Sequence, residues 1–123
     1  MTTVLVWLGV GVVGAGGAYA RFALAAAITA RSAGAFPLGT FIVNCTGSFA
    51  LGLLTGLAVS GDARLVAGTG FLGAYTTFST WMVEAQRAGE DADWLTMWLH
   101  LIGSMLAGLS TAGAGWLLGE AIA

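Results

Sequence analysis

The sequence predicts an all-α integral membrane protein with four transmembrane helices per subunit. Three observations predict it. Only 8% of the 123 residues are charged and 58% are hydrophobic, against about a quarter charged in a soluble domain. The few charges are clumped, leaving four uncharged runs at 2–20, 32–61, 65–83 and 94–119. Each run approaches or exceeds the roughly 20 apolar residues that a helix needs to cross the hydrocarbon core.

The spans follow in order at about 3–27, 36–59, 65–85 and 93–118, all within one membrane domain covering 1–123. In the first span, "AYA" at 18–20 resembles a signal-peptide cleavage site. No basic residue precedes Arg21, whereas a signal peptide opens on a basic stretch, so a retained helix is expected. The second span starts at Pro37, the only proline, where a missing N–H does no harm. The third contains "GAYTTFSTW" (73–81). Gly68, Gly70 and Gly73 loosen this helix, and Thr76, Thr77, Ser79 and Thr80 compete for its backbone hydrogen bonds. A broken third helix is the reading preferred over an intact one whose hydroxyls bond back one turn. Broken backbone at membrane depth must be buried in protein or line a wet cavity. The fourth span carries His100 and Ser104 on one face.

The connecting loops are short and leave no room for a soluble domain. Four arginines, no lysine and a net charge of −2 exclude a nucleic-acid binder. Arg31 and Arg87 share one side of the membrane and Arg64 the other, a bias of one or two charges by the positive-inside rule. Such a small bias permits insertion both ways, and with it an antiparallel dimer. Gly52/Gly56, Gly115/Gly119 and Ser104/Gly108 have the small-x-x-x-small spacing of close helix contacts, while Trp7, Trp94, Trp98 and Trp116 suit the membrane interfaces. Cys45 is the only cysteine and reads as a packing residue.

In the second span Thr40, Asn44 and Ser48 lie on one helical face. Asn44, the only asparagine, either bonds a neighbouring helix or presents amide donors to a pore, and spacing alone leaves the two open. His100 reads more readily as a hydrogen-bonded residue than as a proton relay. No acidic residue lies inside a span; Glu84 and Glu120 are at span ends. Hydroxyls, one amide, aromatic ring edges and the Arg21 guanidinium make a donor-rich lining suited to a small, strongly hydrated anion. A small proton-coupled multidrug-type exporter is the competing transporter, disfavoured because it needs a membrane carboxylate. A hydrolase built on Ser79 and His100 lacks a G-x-S-x-G motif. A purely structural subunit leaves the polar set unexplained.

Three stretches together resemble the fluoride channel family known as Fluc or CrcB: "GGAYARF" (16–22), "GTFIVNCTGSF" (39–49) and "GFLGAYTTFST" (70–80). The resemblance covers nearly the whole chain. It implies a passive, fluoride-selective channel rather than an enzyme, exporting fluoride from the cytoplasm across the cell membrane. It also implies an antiparallel dual-topology homodimer with two pores, or pairing with a homologous second subunit. A central structural sodium ion (Na+) would be held by the backbone carbonyls of Gly73 and Thr76 from each subunit. The pore asparagine falls on Asn44 with Thr40 a turn earlier, the first aromatic-box phenylalanine on Phe78 with Thr77 and Ser79 beside it, the polar track on Ser104, and the span-one arginine on Arg21. Two positions depart from the pattern: Trp81 replaces the second aromatic-box phenylalanine, and His100 replaces a tyrosine.

Overall fold

The computed structural model describes residues 2–123. Helix α1 (Thr2–Arg31) and helix α2 (Leu38–Gly56) form the first two legs. The third leg comprises α3 (Gly61–Arg64), a π-helical stretch (Leu65–Leu72), α4 (Gly73–Tyr75) and, after an interruption at 76–78, α5 (Ser79–Glu90). The fourth comprises α6 (Trp94–Trp98), a second π-helical stretch (Leu99–Gly103) and α7 (Ser104–Ile122). No strand occurs among the described residues.

Three stretches are long and apolar enough to cross a bilayer: Thr3–Arg31, Leu38–Gly56 and Trp94–Ile122. The sequence led us to expect four. The third leg is divided at 76–78, and neither part alone has the roughly 20 residues required. The chain is a membrane protein, and its surface agrees: Val12, Tyr19, Phe22 and Leu95 all stand exposed.

Helix α2 packs most extensively against α7, and glycine permits it. A β-carbon on Gly52 would collide with the Ala112 carbonyl, one on Gly56 with that of Trp116, and one on Gly115 with that of Phe49. On Gly119 it would stand 2.7 Å from the Leu53 carbonyl oxygen. The two G-x-x-x-G pairs therefore face each other, bringing the backbones close enough for dispersion contacts where lipid supplies no hydrophobic drive. Helix α1 lies along the first π-helical stretch and α4, again over a glycine, since a β-carbon at Gly17 would meet the Phe71 carbonyl.

The turns are tight. After α2, Ala58 N–H donates to the Thr55 carbonyl and Val59 N–H to that of Leu54, a Schellman closure with Ala58 at φ 58°. Ala92 closes α5 the same way at φ 59°, with its N–H on Gly89 and that of Asp93 on Ala88. The Asp93 carboxylate then caps α6 by accepting from Thr96 N–H at 3.2 Å. The closure at Ala92 and the Asp93 cap hold the third and fourth legs side by side and so set the site between them.

Candidate functional site

The interruption of the third leg is where the polar residues gather. Thr76 is extended (φ −80°, ψ 157°), so the helical hydrogen-bond ladder cannot continue. Asn44, on α2, fills the gap from both sides. Its Nδ2 donates to the Thr77 carbonyl at 2.8 Å, and its Oδ1 accepts from Thr77 N–H at 2.8 Å. Both open readings of Asn44 then have a physical basis: it bonds a neighbouring element, and its second N–H remains for the groove it lines.

The backbone accounting at the interruption is specific. Thr77 N–H, which in a continuous helix would bond the Gly73 carbonyl, donates to Asn44 instead. Thr80 N–H, which would bond the Thr76 carbonyl, donates to Thr77 Oγ1 at 3.2 Å. The Gly73 and Thr76 carbonyls are thus released from their helical donors. Between them, the Ala74 carbonyl accepts from Arg21 Nε at 3.2 Å, so the span-one arginine braces the interruption. Thr76 Oγ1 bonds back to the Leu72 carbonyl at 2.9 Å, and Thr46 Oγ1 lies 2.8 Å from the Tyr75 hydroxyl.

Two grooves flank this segment. One, of about 510 Å³, is lined by Asn44, Gly73, Thr76, Thr77, Phe78, Trp81 and Ser104 together with apolar and small residues. The other, of about 550 Å³, is lined by Arg21, Thr40, Thr77, Thr80 and Glu84 among others. Thr40 and Asn44, read from spacing as one face, therefore serve different grooves, because the interrupted segment comes between them and Thr77 touches both. Phe78 is 69% exposed and meets Trp81 edge-on, with ring centroids 5.6 Å apart and planes at 89°. Ser79 is exposed and lines neither groove.

Trp81 lines the Asn44 groove beside Phe78. The indole N–H, which a phenylalanine there would lack, is committed to the His100 carbonyl at 2.7 Å; the ring is what it offers to the groove. His100 is 1% exposed and lines neither groove. Its Nδ1 stands 3.1 Å from Ser104 Oγ, and its Nε2 3.3 Å from Glu84 Oε1. Glu84 was not singled out as a site residue, because it falls at a span end and its partner is 16 positions away in sequence. A carboxylate one face along α5 from Trp81 was the available signal. Among the described residues no cluster of three or more His, Cys, Asp or Glu side chains could hold a metal ion.

Comparison with known proteins identifies the family. The family model described as CrcB-like protein, Camphor Resistance (CrcB), matches residues 8–116. A protein of Mycolicibacterium paratuberculosis named fluoride-specific ion channel FluC 2 is 46% identical over 122 residues, covering 99% of this chain and 100% of its own length. The Mycobacterium bovis protein of the same name is 48% identical over 121 residues, 98% of this chain and 93% of its own. Fluoride-specific ion channel FluC 1 of Leifsonia xyli is 44% identical over 126 residues, 98% of this chain and 92% of its own. With a family model spanning most of its length and relatives this similar from end to end, the chain belongs to the CrcB family.

Proposed function

We propose that this chain forms a passive, fluoride-selective channel in the cell membrane, and that the interrupted third leg builds its pores. The observation that carries the reading is Asn44. Its reciprocal hydrogen bonds with Thr77 hold a stretch of open backbone beside a groove that also exposes the rings of Phe78 and Trp81. Fluoride must shed tightly bound water to enter such a groove, so closely spaced donors have to replace that water. The second Asn44 N–H, the Thr77 hydroxyl and the positive edges of the two rings are suitable donors. No mobile carboxylate lines the Asn44 groove, which suits passive flow down a gradient better than proton-coupled exchange.

Both grooves are open on one side of a single chain, and a second copy would close them. The freed carbonyls of Gly73 and Thr76 fit a sodium ion at the junction of two antiparallel copies. Two hard oxygens from each chain would supply four ligands, with no side-chain charge needed. Bound there, sodium would hold the two interrupted segments in register.

The test is efflux from liposomes containing only this purified chain, without a proton gradient. Rapid fluoride loss with chloride retained supports a self-sufficient channel. Retention of both ions contradicts it, unless co-reconstitution with a homologous second subunit restores fluoride loss, which would make this chain half of a heterodimer.

A further inference from the structure

The chain Ser104–His100–Glu84 links the Asn44 groove, which Ser104 lines, to the cavity beyond Glu84. Its hydrogen-bond directions follow from chemistry. Glu84, as a carboxylate, only accepts, so a neutral His100 carries its hydrogen on Nε2 and donates it across the 3.3 Å contact. Nδ1 is then a lone-pair acceptor, and Ser104 must donate its hydroxyl hydrogen to it across 3.1 Å. In that state Ser104 shows the groove only oxygen lone pairs, which repel an anion.

Adding one proton from water to Nδ1 reverses this bond. The imidazolium donates from both nitrogens, Ser104 Oγ becomes the acceptor, and the hydroxyl keeps its own hydrogen free to turn into the groove. The surroundings permit it. Glu84 faces the ring directly. Beyond Glu84, Arg87, Asp91 and Asp93 line one adjoining cavity and Arg21 the other. In the loop ahead of the second leg, Phe36 meets the ring edge-on with centroids 5.3 Å apart. Trp81 bonds the His100 carbonyl and not its ring.

We infer that His100 is a positioning residue that makes anion passage proton-linked: protonating it converts Ser104 from an acceptor into a donor toward the pore. The inference rests on the channel reading above. Histidine changes charge between about pH 5 and 8, so fluoride flux, corrected for leak through protein-free liposomes at each pH, rises about fivefold from about pH 7.5 to 5.5, the worth of one hydrogen bond. His100→Gln keeps hydrogen-bonding atoms toward both neighbours but does not titrate, and Ser104→Ala removes the reporter hydroxyl; both give flat profiles. His100 is the only histidine, and nitrogen-15 histidine spectra of the unmutated protein report it without ambiguity. These spectra follow the ring's protonation through the range in which flux is measured. Fluoride flux that is flat with pH, a slope that persists in His100→Gln, or a ring whose protonation does not change where flux does overturns this inference and leaves the channel reading standing. No flux at any pH overturns both.

Discussion

Replacing Asn44 by alanine removes two hydrogen bonds of 2.8 Å and strands both backbone groups of Thr77. An unpaired buried backbone group costs about 1–3 kcal/mol, and the groove here is open enough for water to recover part of that. The expected loss for Asn44→Ala is therefore about 2–3 kcal/mol, read as a lowered thermal midpoint in detergent. Flux should fall with it, because the released segment no longer holds Phe78 against the groove. Asn44→Asp separates the two roles. It keeps an acceptor for Thr77 N–H and puts a negative charge where the anion must pass. A unit charge about 6 Å away costs about 3 kcal/mol at an effective dielectric constant of about 20, so fluoride efflux from liposomes should drop about 100-fold. Asn44→Ala with unchanged stability and flux, or Asn44→Asp conducting at the parent rate, would refute the reasoning.

Trp81→Phe deletes the indole N–H bonded to the His100 carbonyl; stability should fall by about 1 kcal/mol while fluoride efflux persists, and loss of efflux would mean that the indole does more than pack. Gly52→Ala sets a methyl against the Ala112 carbonyl and should destabilise by about 1–3 kcal/mol, whereas Gly113→Ala, where an added β-carbon meets nothing within 4 Å, should leave the melting temperature alone. Ala58→Gly and Ala92→Gly relieve left-handed backbone at φ 58° and 59°, and each should raise stability by about 0.5–1 kcal/mol, measured in the same melts.

What the sequence made legible was whatever depends on local spacing. Charge-free runs marked the membrane class, and the Gly52/Gly56 and Gly115/Gly119 pairs marked a contact that the fold realises between α2 and α7. Motifs in order gave the family. What stayed hidden depends on which distant groups meet. Asn44 could be placed on a face, but its partner Thr77, 33 positions away, depends on how the second leg lies against the third. Arg21 was read as a free donor near the pore, and the fold brings it to the Ala74 carbonyl. The partner of the Trp81 indole N–H, the His100 carbonyl, comes from the fourth leg. Glu84 gained its meaning only from that same contact. The π-helical stretches have no composition that distinguishes them from α-helix, since the extra residue per turn is a matter of packing.

The central claim is that the groove beside the interrupted third leg passes fluoride and turns chloride away. The most direct test is the reversal potential of planar bilayers containing this chain, with a tenfold fluoride gradient and equal chloride on both sides. A fluoride-selective pore predicts a reversal displaced by about 59 mV, the value for a single-charge ion. A reversal at zero, set by chloride, would contradict it.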